Sequence, residues 1–314
     1  MNASTRATQI ATFALKITSG TERLYNNGLS QVRIEILIEA DSTLTPEEED
    51  SLQLVDATTR QLIPAVDSSV PVTTGWGTSK QKNIFDFCPP GAALQEAVAP
   101  EPFHRYLQTA DFANARKTVG ARITLAGSGG PGIDVYSMDI SGSDGEVDVV
   151  PVQFQRPGLS AWMADWESPD RFDVGPNIKV TVYHLGIVDS GGRYNIRTIE
   201  VAPGSHASMF RWLSPNSVTG AFCGYALPPD EFVQQHPFVY SDSQYMGDYR
   251  PTTNNYYRTG CASAVLVSRV GGLPWSGGAN KQPCVYVLRD QYGTTHRMRL
   301  NIEESLKQID LTQG

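Results

Sequence analysis

The chain reads as a mainly β protein: two or three antiparallel β-sandwich modules of immunoglobulin-like pattern, with one short helix near residue 45. Three observations predict this. Apolar residues recur at every second position, as in Phe13, Leu15 and Ile17, in Val32, Ile34, Ile36 and Ile38, in Val147 and Val149, and in Met298, Leu300 and Ile302. Successive side chains of a strand point to opposite faces, so a period of two builds one core face and one wet face. The 28 Gly and 20 Pro fall between these runs at the spacing of short strands joined by turns, below collagen-like or low-complexity usage. One segment, Thr45-Pro46-Glu47-Glu48, carries a helix start: Thr caps, Pro suits the first position and Glu48 completes a capping box.

The first strand is expected over Ala11 to Thr18, and a second over Gln31 to Ala40. Between them Asn26-Asn27-Gly28 supplies residues that tolerate positive φ, a hairpin signal. The helix ends by Ser51, before Leu52, Leu54 and Leu62-Ile63 return to extended structure; the acidic run Glu47 to Asp50 is the start of that helix rather than a calcium site. Residues 8–102 form a first sandwich-like domain. Residues 103–155 form a second β module, able to pack on the first, with strands at Val119 to Leu125, Ile133 to Ile140 and Glu146 to Phe154. Residues 156–314 form a larger β domain with strands at Ile178 to Val188, Tyr194 to Val201 and Ala264 to Val270. A hairpin there runs from Val285 to Arg289 and Thr294 to Ile302 through Asp290 to Gly293. Glu303 to Gly314 is polar and expected to be peripheral. No internal repeat is exact. The turn-and-strand segments around Val32 and Ile123 share a loose shape that resembles immunoglobulin-like modules.

With 314 residues, 40% hydrophobic and 18% charged, the chain can bury two or three real cores. A formal charge of −8 without basic runs argues against nucleic-acid partners, because phosphate contacts need clustered Lys and Arg. Met1 to Gln9 is polar and no eighteen apolar residues run together, so no secretory signal or membrane span is expected. That leaves the cytoplasm, a non-classical exit or a place in a particle. Cys88, Cys223, Cys261 and Cys284 are expected as buried free thiols. A Cys223–Cys261 or Cys261–Cys284 bridge is the alternative outside the cell.

No complete catalytic set is visible, and neither a cofactor fingerprint nor metal-ligand spacing occurs. Gly127-Ser128-Gly129-Gly130-Pro131 is similar to the nucleophile segment of trypsin-like serine proteases. Gly127 stands where that family has Asp, however, and none of His104, His184, His206, His236 and His296 sits in its Thr-Ala-Ala-His-Cys context, so a glycine-rich turn is expected. His184 and His296 fall in strands and are expected to be structural or exposed. Asp165, Glu167, Asp170 and Asp173 lie beside Trp162 and Trp166, the mixture a glycosidase uses as acid, nucleophile and sugar platform.

The segment Phe238 to Arg258 is the leading binding candidate. Tyr240, Tyr245, Tyr249, Tyr256 and Tyr257 offer rigid contact area with a polar tip, and Arg250, Asn254, Asn255 and Arg258 supply hydrogen bonds. Trp162 and Trp166 complete the predicted binding set. The expected function is non-enzymatic recognition or assembly, with a protein or glycan surface or a second copy of the chain as partner. One alternative is a secreted, membrane-contacting toxin whose hairpins come from Leu52 to Lys80, against which Pro64 and Pro71 count. The other is a glycoside hydrolase using Asp165 and Glu167.

Overall fold

The computed structural model describes residues 9–88, 102–127, 131–175, 178–189, 192–205, 208–212, 219–227, 258–270, 283–305 and 307–314. The chain divides into two units, Met1–Phe154 and Gln155–Gly314. It is mainly β, with several antiparallel sheets.

In the first unit the elements are β1 (Ile10–Ile17), β2 (Arg23–Tyr25), β3 (Gln31–Ala40), α1 (Pro46–Ser51), β4 (Gln53–Asp56), β5 (Trp76–Ser79), β6 (Phe103–Thr109), β7 (Lys117–Leu125), β8 (Ile133–Tyr136) and β9 (Glu146–Val152). One sheet has the order β1-β3-β6-β5; the other has the order β2-β9-β7-β4, with β8 also on β7. Read in chain order, these are the A, B, E and D strands of an immunoglobulin sandwich facing its C, F and G strands, with short β2 running parallel to β9. The predicted alternation is what fills the space between the sheets. Phe13, Ile34 and Leu107 from one sheet and Leu54, Val119 and Val149 from the other are fully buried in one cluster.

Residues 103–155 are therefore not a module of their own. β6 sits between β3 and β5, and β7 pairs with β4, so these strands complete the sheets that residues 8–102 begin. Asn26-Asn27-Gly28 does turn the chain, with Asn27 Oδ1 accepting from the N–H groups of Leu29 at 2.9 Å and Ser30 at 2.8 Å. The two strands it was expected to join, β1 and β3, do pair antiparallel, with the short β2 between them in sequence and placed in the other sheet. Leu52 to Lys80 is no hairpin, since β4 and β5 lie in opposite sheets. The helix matches its capping box: Thr45 Oγ1 accepts from Glu48 N–H, and Glu48 Oε2 accepts from Thr45 N–H at 2.8 Å. Glu48 Oε1 also accepts from Ala126 N–H at 2.9 Å, and these bonds, Thr45's first, hold its carboxyl below the usual range.

Both open sides of this sandwich are stitched by chain. At one, the excursion that follows β8 through a 3-10 turn (Ser137–Asp139) reaches β1, where Asp144 C=O accepts from Leu15 N–H at 2.8 Å and Ser143 Oγ from Phe13 N–H at 3.2 Å. At the other, the segment after β4 bonds to both edge strands: Ile63 N–H donates to Leu54 C=O, and Val66 N–H to Thr78 C=O.

The second unit holds α2 (Ser160–Trp166), β10 (Asp170–Gly175), β11 (Ile178–Leu185), β12 (Ile187–Asp189), β13 (Gly192–Tyr194), β14 (Ile196–Val201), β15 (Ser208–Trp212), β16 (Thr219–Leu227), β17 (Ala262–Val270), β18 (Cys284–Asp290), β19 (Thr295–Ile302) and β20 (Ile309–Gln313). Its sheets, β10-β11-β17-β16-β15 and β14-β18-β19-β20, repeat the A-B-E-D and C-F-G order, with β15 added beyond the D position and β20 beyond the G position. The β18–β19 hairpin turns where expected, at Asp290 to Gly293. One expectation fails here: the tail is not peripheral, since Ile309 and Leu311 alternate into the core. The Trp162 to Trp166 stretch lies in the helix α2. Cys88, Cys261 and Cys284 are buried free thiols. Among the described residues no helix is long and apolar enough to cross a membrane.

Gly28 has φ +81°, and a Cβ there would overlap the carbonyl oxygen of Val72, whose N–H donates to Gly28 C=O. Gly28→Ala is expected to destabilise the first unit by about 1–3 kcal/mol, read as a lower urea midpoint with unchanged slope.

Candidate functional site

The site grows from α2. Its inward residues, Ala161, Trp162, Asp165 and Trp166, recur at one-turn spacing, so three pack on the sheets and the fourth brings a carboxylate into the interior. Trp162 is fully buried, its ring edge-on to His296 at 5.3 Å. Trp166 is 4% exposed and stacks on Tyr183, centroids 4.4 Å apart.

Asp165 is the hub of a buried ionic cluster. Arg193, on β13, donates to both carboxylate oxygens, at 2.5 and 3.0 Å, and Arg258 donates to Oδ1 at 3.1 Å and to the Ser168 carbonyl at 3.0 Å. Cys261 touches the same carboxylate, Sγ to Oδ2 at 3.5 Å, and accepts from Arg193 at 3.2 Å. Burial works to raise the Asp165 carboxyl; the bonds and charge of Arg193, then Arg258, overcome it and hold the carboxyl below its ordinary range. The Cys261 thiol is pushed up to about 12, by burial and then by the Asp165 charge. Gly186 completes the packing: a Cβ there would meet the Asp165 carboxylate and Cys261 Sγ at 2.6 Å. The cluster ties α2 to β13 and to the start of β17.

His184, also fully buried, pairs Nε2 with Asp170 Oδ2 at 2.7 Å while Nδ1 has no partner among the described residues. Burial lowers its pKa against the pull of Asp170, so the ring is neutral at pH 7 and donates from Nε2. His296 pairs with Asp290 at 2.9 Å. Both are structural, each orienting on one carboxylate.

Beside α2 a cleft of about 710 Å³ opens between Glu167, Pro169 and Arg171 on one wall and β19 and β20 on the other, with Arg299, Asp310 and Thr312 among its polar lining. The backbone of β20 is the unusual part. Glu303 N–H bonds to Gln308 C=O, and Gly314 N–H to Arg297 C=O. Antiparallel pairs alternate between bonded and non-bonded, so residues 308, 310, 312 and 314 face β19, whereas Ile309, Leu311 and Gln313 turn their N–H and C=O groups away from it. Tyr183 Oη accepts from Ile309 N–H at 3.2 Å. The N–H and C=O of Leu311, which lines the cleft, have no partner among the described residues.

The predicted binding residues fare unevenly. Tyr240, Tyr245, Tyr249, Arg250, Asn254, Asn255, Tyr256 and Tyr257 lie outside the described residues, as does Ser128. Arg258 is described, and its guanidinium is spent on Asp165 and Ser168. The helix turns Trp162 and Trp166 inward, so both are buried; Trp162 is a core residue, whereas Trp166, 4% exposed, also lines the cleft. Of the two carboxylates of the glycosidase alternative, Asp165 is held ionised by two arginines, while Glu167 lines the cleft. Arg193, Cys261, Gly186 and the β20 edge were missed. The signal for β20 was Ile309-x-Leu311, a two-residue alternation; Arg193 carried none. Among the described residues no group of three His, Cys, Asp or Glu is gathered for a metal.

The strand order and the sheet pairings define a mainly β protein of two immunoglobulin-like sandwiches. No protein-family model and no curated protein matches the chain. Among solved structures it is similar to a marsupial T cell receptor, at 10% identity and a TM-score of 0.22 over 91% of this chain and 61% of that one. It is also similar to the sialic acid binding region of the Streptococcus sanguinis SK1 adhesin bound to 3'sLn, at 12% identity and a TM-score of 0.22 over 90% of this chain and 75% of that one. The chain thus spans about three fifths of the T cell receptor chain.

Asp165→Asn leaves two guanidinium groups without their counter-ion. The expected cost is about 3 kcal/mol, the low end for a broken buried pair, because the Arg193 and Arg258 side chains keep 39% and 30% exposure. Cys261 should become more acidic in that variant, read as faster alkylation of the folded protein between pH 8 and 10.

Proposed function

We propose that the protein is a non-enzymatic recognition module and that its second sandwich takes an extended segment of a partner protein along β20. The observation that supports this is the pair of unmatched main-chain groups on Leu311, on an edge strand that lines a cleft. An extended peptide supplies a C=O and an N–H at the matching spacing, which is the basis of strand addition to a sheet edge. The cleft volume falls within the range of preformed binding sites. Its lining mixes Arg171 and Arg299 with Glu167, Glu303 and Asp310, so a segment carrying both signs of charge fits better than a uniformly charged one. A glycan gains less. Sugar rings stack on open aromatic faces, and Trp166 and Tyr183, 4% and 3% exposed, stack on each other.

The test is selection of peptides from a random displayed library on the whole protein, followed by affinity measurement against a semisynthetic chain with N-methyl-leucine at position 311. That change removes one donor and keeps the side chain. Binding is expected to weaken about tenfold, the equivalent of one lost hydrogen bond. Equal affinity for both chains, or a library that yields no binder, overturns the reading.

A further inference from the structure

The first sandwich contains a charge where its own alternation calls for a hydrocarbon. Along β6, Phe103 and Leu107 face the opposing sheet, and Arg105 lies on the same parity between them, paired across to the core residue Ile34. Arg105 is 6% exposed. Two of its donors reach main-chain carbonyls, Nη1 to His104 at 2.8 Å and Nη2 to Leu52 at 2.7 Å, and no carboxylate among the described residues bonds to it. Carbonyl dipoles orient a guanidinium without neutralising it.

The charge borders a cavity of about 280 Å³ between the edge strands β4 and β5, beneath the stitching segment. Thr78 lines the same cavity from β5. It is 6% exposed, and its Oγ1 has no partner among the described residues. Lys80, two residues along, brings a second cation. The local carboxylate, Asp50, also lines the cavity; it bonds to Lys80 at 2.7 Å and its side chain is 78% exposed, so water weakens its hold on both cations. A buried cation, an unmatched hydroxyl and the Lys80 ammonium around one cavity are the donor set of an anion site, with apolar walls from Ile63 and Val66 that strengthen the field.

We propose that this cavity binds a tetrahedral oxyanion, a phosphate or sulfate group, held by Arg105, Lys80 and Thr78. Burial lowers the Arg105 pKa, and the nearby Asp50 charge opposes this; an anion in the cavity would act in the same sense as Asp50 and more strongly. The site lies in the first unit and does not depend on the β20 cleft.

The experiment is a titration of the full chain with inorganic phosphate and with sulfate, with sodium chloride at matched ionic strength as control. It reads the melting temperature and the ¹⁵N shift of the Arg105 Nε–H group. Phosphate or sulfate is expected to raise the melting temperature beyond chloride and to move the Arg105 signal saturably. Lys80→Met, on the surface and safe for folding, should weaken binding about three- to tenfold, and Asp50→Asn should tighten it by a similar factor. Arg105→Met should abolish it; if that variant does not fold, the Lys80 and Asp50 variants carry the test. Indifference of binding to both of those substitutions, or no response beyond that to chloride, overturns the proposal.

Discussion

In each unit two sheets share one apolar layer, and keeping charge out of that layer is the constraint on which the arrangement depends. A buried aliphatic side chain contributes about 1.5–3 kcal/mol, whereas an ion taken out of water costs several kcal/mol even after the surroundings relax. One uncompensated charge therefore offsets about two well-packed residues. The second unit meets the constraint by neutralisation: Asp165 enters with two arginines, His184 enters uncharged, and His296 enters paired with Asp290. The first unit admits Arg105 with carbonyl partners and a cavity beside it. The same physics that makes three of these groups structural makes the fourth a place where a ligand gains.

Much of the fold was legible because period two survives wherever one face of a strand is dry. β3 matches its expected limits residue for residue, and α1 ends at Ser51 as its capping box and the following leucines require. What alternation does not encode is which sheet a strand joins. β2 and β3 are separated by a good turn signal, yet they part to opposite sheets, and β6 looks like the opening of a new module while lying in the middle of an old sheet. Sheet membership is decided by pairing between residues far apart in the chain, such as Ile34 with Arg105. Short elements were lost for a related reason: α2 starts without a side-chain cap and β20 has only two inward residues, so tertiary packing rather than local propensity makes them.

The candidate site was less legible than the fold. Aromatic and acidic clustering drew attention to this helix but left its orientation open, because composition does not say which way a turn of helix faces. Trp162 and Trp166 are buried by the same geometry that brings Asp165 inside. Beyond the Ile309-x-Leu311 alternation the β20 edge has no residue-type signature: what it offers is main-chain groups, and only the hydrogen-bond parity with β19 shows which of them are unmatched. Two sandwiches with the same strand order have been built from segments with no exact repeat, consistent with a topology that demands a pattern rather than particular residues.

The chain that stitches both sides of the first sandwich, Ser143 and Asp144 onto β1 and the segment after β4 onto β5, has a bearing on how such a domain behaves in company. An open sheet edge is a template on which a neighbouring molecule can lay down its own strand. Where those edge positions are already occupied by the domain's own backbone, a neighbour held at high local density finds fewer free positions to copy. Crowding on a surface, or in tandem along a longer chain, then carries less risk of strand exchange at those two margins.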